Sequence, residues 1–443
     1  MANHFLDNEE DTDARWEPLS DEEWDALTAD LEPGSDTEAG REVDEWLEPA
    51  ATVVRRAPVE AARPAPRAGD TAAAPRVLRR TPRPVEEPQS EEAFQPDGSS
   101  RPPHAPRACR RPQHGCLSAL LWLVMLGVLA LMALRCLPAE LANGRAVPEL
   151  VSFVPWLFAP ILLCLVLALL WRRLALFVVS VVALATMLWW HAGFLLPRAG
   201  VSDAGVAAAQ TVSDPSDNVA RVMTLNTANG GASAEEVVAL VRDKHVEVLC
   251  MQELTDGFLS ELAAAGLYDL LPHYVISDEA SAISNGGRNG IWTLAPMSNV
   301  SGNLLPIETS PMPAGTVRIG NLDVRVVSVH PNSPVRGAQD LWDEGLDVIG
   351  QLSGYNHSYL IMGDFNSTWD HAQFRDLLGV DFVDAGAEAG EGFHMTYPSG
   401  KLPSLVEIDH IVYWRGSGVQ VSDLETAVVS GTDHRALLGV LEV

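Results

Sequence analysis

The sequence predicts an α/β domain with two packed sheets over residues 221–443, set behind three transmembrane helices and a disordered N-terminal tail. Three observations carry this. From Arg221 onward, apolar runs with the period of strands alternate with amphipathic helical stretches. The roughly 220 residues involved suffice for two packed sheets with helices against them. Upstream, three long apolar stretches crowd into residues 116–196 after a segment with almost no apolar periodicity.

The tail comes first. Residues 1–50 are acidic with scattered Trp16, Trp24 and Trp46, and residues 51–115 turn to Arg, Pro and Ala. Neither part buries enough apolar surface to offset the entropy of ordering, so 1–115 is expected to be disordered, cytoplasmic and open to an unknown protein partner. The stretch from Asp21 to Leu31 reads first as part of a solvated acidic tail, with a helix formed on such a partner as the alternative.

The apolar stretches 116–134, 151–171 and 174–196 are each long enough to cross a hydrocarbon core of about 30 Å as a helix. Pro155 and Pro160 in the second are tolerated in a membrane helix. Arg107, Arg110 and Arg111 precede the first span, and Arg172-Arg173 fill the turn between the second and third. Between the first two spans, Arg135 and Arg145 are offset by Glu140 and Glu149. Basic residues gather on the cytoplasmic side, so the N-terminus is expected inside and the C-terminal domain outside. Residues 197–220, rich in Ser, Asp, Ala and Gly, read as a linker. Of the five cysteines only Cys250 belongs to the soluble domain, which excludes an intradomain disulfide and a Cys-ligated zinc site there.

Within the domain, strands are expected at 221–225, 246–251, 273–276, 290–294, 316–319, 324–329, 359–362, 408–413, 418–421 and 436–441. Helices are expected at 234–242, 256–265, 338–352 and 372–378. Polar residues recur where strands end. Leu360-Ile361-Met362-Gly363-Asp364-Phe365-Asn366 sets a carboxylate and an amide on one face of an extended chain. Asn226, Gln252-Glu253, His330, Asp409-His410 and Asp433-His434 occupy comparable places. Polar groups at strand ends on one sheet edge converge on a common cleft.

The ordered series Thr224-Leu225-Asn226, Met251-Gln252-Glu253, Ser328-Val329-His330, Gly363-Asp364-Phe365-Asn366, Ile408-Asp409-His410 and Thr432-Asp433-His434 resembles the endonuclease/exonuclease/phosphatase superfamily. The resemblance covers residues 221–443. With the apolar leader it is similar to a bacterial, membrane-anchored branch with three N-terminal helices, on His330-Pro331-Asn332-Ser333-Pro334 and Asp370-His371. It implies a four-layer α/β/β/α sandwich, DNase I-like, with the site at one mouth of the sheets. It also implies that His371 caps the helix that follows.

The activity so implied is metal-dependent hydrolysis of phosphodiester or phosphomonoester bonds. Oxygen ligands without a Cys cluster suit a hard divalent cation, Mg²⁺ first, with Mn²⁺ and Ca²⁺ open. By resemblance Glu253 is the first metal ligand, Asn226 assists it directly or through water, and Asp433 is a second ligand. His434 is the general base or the group that polarises the phosphate, with Asp409 fixing its tautomer. His330 donates to a phosphoryl oxygen or the leaving group, Asp364 orients the water and Asn366 donates to the phosphate. Asn226-Thr227-Ala228-Asn229-Gly230 lacks the acidic residue that several nucleases carry there, and Ile291-Trp292-Thr293-Leu294 lacks the family's following Arg. Arg288 stands just upstream, as a surface residue or a phosphate contact.

From Arg221 onward there are 29 Asp and Glu against 11 Lys and Arg. Nucleases draw much of their affinity from basic contacts to phosphates, so this balance disfavours long duplex DNA. Phospholipid, a small phosphorylated metabolite and extracellular DNA are the substrates left open, with the membrane itself as a partner. The alternative is a membrane scaffold of little or no activity whose outer domain binds phosphorylated ligands.

Overall fold

The computed structural model describes residues 115–443, apart from 145, 199, 280–284, 308, 338 and 401–402. The expected disordered tail therefore lies outside the described residues.

Two six-stranded sheets form the C-terminal domain. The first holds β1 (Val219–Asn226), β2 (Val246–Leu254), β3 (His273–Ile276) and β4 (Arg288–Thr293). The second holds β5 (Met297–Ser301), β6 (Ala314–Ile319), β7 (Leu322–Val329), β8 (Ser358–Asp364), β9 (Phe382–Asp384) and β10 (Asp409–Trp414). The chain then returns to the first sheet as β11 (Gln420–Val428) and β12 (Arg435–Glu442). The strand orders are β11-β12-β1-β2-β4-β3 and β5-β6-β7-β8-β10-β9. The central pairs β1–β2 and β7–β8 are parallel, and the other pairings are antiparallel.

Alternation along each strand builds the layers. Val222, Cys250, Val326, Leu360 and Met362 point into the core between the sheets. Their neighbours Met223, Leu249 and Met251 face outward, onto Val237 and Phe258 of two helices. Val327, Val329 and Ile361 likewise meet Trp342, Leu346 and Phe374 on the other side. A period of two on strands buried on both faces produces this division, and the result is helices, sheet, sheet, helices.

The covering helices carry the expected end signals. One is Ala234–Asp243, where the Ser233 hydroxyl accepts from Glu236 N–H, Glu235 and Glu236 lie in the first turn and Arg242 in the last. Asp256–Ala265 starts on Thr255 and stops at Gly266, whose φ of 92° is the left-handed conformation that glycine supplies. Gln339–Gly350 and Ala372–Leu378 cover the second sheet.

Several elements differ from expectation. β5 was not foreseen, because Met297-Ser298-Asn299-Val300-Ser301 is an edge strand with a polar, exposed centre and no apolar alternation. β9 is only three residues long. The 197–220 stretch is not a bare linker: Ser202 caps a helix, Asp203–Ala209, and its backbone N–H and hydroxyl both bind the Glu442 carboxylate. β1 begins at Val219 because Val219 and Ala220 pair with Glu442 and Leu441.

Of the apolar segments, α1 (Gly115–Arg135) is, among the described residues, the one helix long and apolar enough to cross a membrane. The other two expected spans are shorter as helices. The second breaks into Val147–Val151, a 3₁₀ turn at Val154–Leu157 and α2 (Phe158–Leu170). Pro148 and Pro155 sit in the first turns of the pieces, where a missing N–H costs nothing. The third, α3 (Leu174–Trp190), stops at His191 before a short helix, Ala192–Leu195. The three helices pack on one another through Met125, Val128, Ile161, Cys164, Leu176 and Met187.

Candidate active site

The C-terminal ends of the two parallel strand pairs lie at the same mouth, and the sites of both sheets meet there. Asn226 ends β1 and Glu253 lies near the end of β2. His330 directly follows β7, and Asp364 ends β8. β10 runs antiparallel to β8 with Asp409 opposite Asp364. His434 immediately precedes β12.

Asp364 is the hub. Its Oδ2 accepts from Asn226 Nδ2 at 3.0 Å, and lies 3.5 Å from His330 Nε2 and 3.6 Å from His434 Nε2. Its Oδ1 accepts from Asn366 N–H at 2.8 Å. Glu253 faces the same groups: Oε1 accepts from Asn226 Nδ2 at 2.9 Å and lies 3.6 Å from His330 Nε2, and Oε2 accepts from Asn229 N–H at 2.8 Å. His434 Nδ1 lies 2.8 Å from Asp409 Oδ2. Asn366 Nδ2 donates to Pro331 O at 3.0 Å, bridging the loops after β7 and β8.

The electrostatics follow from burial and pairing. Burial alone would raise Asp364, yet His434 and His330 beside it hold the carboxyl down at about 2. Burial would lower His434, but the charges of Asp409 and Asp364 push it up to about 10. Asp409 is raised by burial first and by Asp364 next, against the pull of His434. Its Oδ1 is buried without a hydrogen-bond partner.

Two site residues occupy left-handed backbone that non-glycine side chains rarely adopt: Glu253 at φ 58° and Asn366 at φ 49°. The first falls where the β2–β4 register is irregular, between Met251 and Leu254. Gly286 crosses over the Glu253 side chain so tightly that a Cβ on it would lie 2.6 Å from the carboxyl carbon.

Of the residues anticipated from sequence, Asn226, Glu253, His330, Asp364, Asn366, Asp409 and His434 form this one network. Asp433 is exposed at its rim, and its charge acts on His434 and Tyr397. Asn226 turns its amide nitrogen to the two carboxylates and its Oδ1 to Ala228 N–H at 2.9 Å, so in this state it donates to them. Arg288 pairs with Asp256. His371 takes the N-cap position of the following helix, but its side chain makes no capping bond: its Nδ1 accepts from Thr368 N–H at 2.8 Å and its Nε2 lies 2.9 Å from Pro148 O, outside the domain. His410 is buried between Asp384 Oδ1 at 3.2 Å and Ser367 O at 2.8 Å.

Gln252, placed at a strand end from sequence but given no role, bridges the sheets, donating to Ser328 Oγ at 3.1 Å and accepting from Thr224 Oγ1 at 3.3 Å. Two contributors were not anticipated. Asn285 Nδ2 donates to the carbonyls of His330 and Pro331, both at 3.1 Å. The Tyr397 ring lies 5.0 Å from that of His434. Asn285-Gly286-Gly287 does carry a turn signal, whereas nothing local marks Tyr397.

The donor set suits a hard cation. Two carboxylate oxygens, Glu253 Oε1 and Asp364 Oδ2, converge on one amide, and neither thiol nor thioether takes part. Donor atoms of Asp364, Asp409 and His434 also lie within 4.8 Å of one another. That second group is already committed internally, since Asp409 holds His434.

Residues 223–434 match the Endonuclease/Exonuclease/phosphatase family. No curated protein matches the chain. Among solved structures it is similar to D. rerio TDP2 complexed with a single-strand DNA product, at 15% identity and TM-score 0.41, over 51% of this chain and 100% of that one. Sphingomyelinase C from Streptomyces griseocarneus shows 15% identity and TM-score 0.37, over 50% and 99%. An AP endonuclease from Archaeoglobus fulgidus shows 14% identity and TM-score 0.39, over 51% and 100%.

Proposed function

Residues 223–434 belong to the endonuclease/exonuclease/phosphatase superfamily of phosphate-ester hydrolases, and from that premise we propose a membrane-anchored, divalent-metal-dependent phosphoesterase whose site faces away from the cytoplasm. The observation that carries it is the Asp364 hub, where one carboxylate oxygen meets Asn226, His330 and His434 while Asp409 holds the far side of His434.

Each residue then has a task that its contacts permit. Glu253 would hold the cation, with Asn226 assisting through water, or directly once its amide turns its Oδ1 from Ala228 N–H, and Asp433 at the rim as a further ligand. Once bound, the cation would neutralise charge on the phosphoryl oxygens. Asp409 occupies His434 Nδ1, so Nε2 is the atom that gives or takes a proton. His330 Nε2 points into the same space and would donate to a phosphoryl or leaving oxygen. Asp364 orients the attacking water, and Asn366 is held where its amide borders the phosphate. Mg²⁺ is the expected ion, with Mn²⁺ and Ca²⁺ as the test's alternatives.

Anchoring is supported by surface chemistry. The outer faces of α1, α2 and α3 expose Leu120, Leu123, Leu163, Leu170, Leu174 and Val182, which water would penalise and lipid would not. A helix of 17 residues such as α3 rises about 25 Å, at the short end of what spans a bilayer. The Arg172-Arg173 turn lies at the far end of α3 from Trp190, whose carbonyl accepts from Trp369 of the domain at 3.2 Å. Basic residues at the end away from the domain favour an outward-facing domain.

A phosphorylated group at the membrane surface is the substrate this arrangement favours. Trp156, between the first two apolar helices, donates to Leu405 O at 2.7 Å, and Leu405 N–H binds Tyr397 O, the neighbour of His434. The segment beside His434 is thus tied to the helix ends. The purified full chain should hydrolyse bis-p-nitrophenyl phosphate with Mg²⁺ or Mn²⁺ and lose that rate in EDTA. Absence of hydrolysis on that ester, DNA and phospholipid alike would favour the scaffold reading.

A further inference from the structure

Six residues beyond the hub, Asp370 is fully buried and serves none of the groups around Asp364. Its Oδ1 is ion-paired with Arg135 Nε, at the last position of α1. Its Oδ2 lies 3.1 Å from His191 Nε2, just past the end of α3. Arg135 is itself buried, with its guanidinium 4.2 Å above the Trp190 ring. Arg375 closes the arrangement, donating to Arg135 O at 3.1 Å and to Trp369 O at 3.2 Å. Burial would raise the Asp370 carboxyl, but His191 and Arg135 hold it below its ordinary value.

The segment between Asp364 and Asp370 is pinned at both ends. At its start, Phe365 N–H binds Ile408 O at 2.9 Å and Asn366 is held by Asp364 and Pro331. In the middle, Ser367 accepts from Trp342 Nε1 at 3.0 Å on its hydroxyl and lies 2.8 Å from His410 Nε2 by its carbonyl. At its end, the only charged side chain is Asp370, and its partners come from the apolar helices. A buried carboxylate with two buried partners from outside its own domain is costly unless all three are kept together.

We propose that Asp370 is a positioning residue through which the ends of α1 and α3 set the loop carrying Asn366, and hence the Asn366–Asp364 geometry of the active site. The helices are then part of the catalytic architecture as well as an anchor. This rests on the phosphoesterase reading.

The test uses the full chain in lipid nanodiscs, with bis-p-nitrophenyl phosphate and Mg²⁺. Asp370→Asn and Arg135→Gln should each lower kcat about tenfold or more while KM stays within about twofold, as small displacements of a catalytic group do. The double variant should be no slower than Asp370→Asn, because Arg135 acts through that carboxylate. Arg135→Lys should recover much of the rate. Glu149→Gln, which removes the exposed pair with Arg336, should leave kcat unchanged. Wild-type kcat in folded Arg135→Gln, multiplicative losses in the double variant, or an equal loss in Glu149→Gln would each overturn the proposal. If Asp370→Asn does not fold, the Arg135 variants, which leave the domain's sequence intact, decide. If the wild type is inactive, the functional reading fails by itself. Hydrogen exchange then judges the latch: amides of 367–371 should exchange faster in Arg135→Gln while those of β8 do not, and unchanged exchange would overturn it.

Discussion

Asp364 Oδ2 gathers an amide and two imidazoles within 3.0 to 3.6 Å, so loss of any one partner should be felt at the others. His434→Ala is expected to lower kcat by about 10²–10⁴-fold, the usual contribution of a proton-transfer group, with the fold intact by circular dichroism. A wild-type rate in that variant would remove His434 from the mechanism. Glu253→Gln should leave the fold in place and raise the Mg²⁺ concentration needed for half-maximal rate, measured by metal titration. Much of this site was legible in the sequence. Strand ends are visible as apolar runs that stop, and the residues at those stops are the ones that converge. Two things were not legible. The left-handed backbone of Glu253 falls in the irregular register between Met251 and Leu254, that of Asn366 lies where Asp364 and Pro331 hold the residue, and the turned amide of Asn226 depends on Ala228 N–H.

Among the elements, β8 and β10 do the most to place the site, and each supports a prediction. A Cβ at Gly363 would lie 2.0 Å from Val329 O of the parallel neighbour β7. Gly363→Ala should therefore destabilise the fold by about 1–3 kcal/mol, the range for overpacking, as read by urea denaturation. On β10, burial would lower His410, but Asp384 pushes it up to about 9. A folded-state value above the ordinary ~6.5 means that the stabilisation is complete below about pH 6.5 and is lost as pH rises through 9. Burial also raises Glu407 to about 8, which costs stability in the same direction as pH climbs from its ordinary range. The melting temperature should thus fall between pH 6.5 and 9, and fall less steeply in His410→Asn. A flat profile in the wild type would contradict the charged pairing. The sequence located β8 well, because its run from Tyr359 to Met362 is buried on both faces. It missed β5 and β9, an exposed edge and a three-residue strand, since both take their conformation from partners distant in the chain.

For the whole molecule, Cys116 and Cys136 flank α1 at opposite ends and are both exposed. Their 20-residue separation along the helix is about 30 Å. A membrane-impermeant maleimide on intact cells should label Cys136, on the domain's side, and spare Cys116. The reverse pattern would invert the proposed topology, as would a C-terminal reporter active only in the cytoplasm.

Composition and pattern alone determined that an α/β domain follows apolar stretches, and that one row of strand ends carries carboxylates, amides and histidines. Those properties are local, because burial period and strand termination are written in consecutive residues. Tertiary structure decided what is non-local. It began the second apolar stretch with a 3₁₀ turn at Pro155, and it bound Ser202 of the supposed linker to Glu442. It also turned the side chains of Asp370 and His371 toward Arg135, His191 and Pro148, while His371 keeps the N-cap position of the following helix. Buried charges must find partners wherever the fold brings them, and distance along the chain gives no sign of who those partners are.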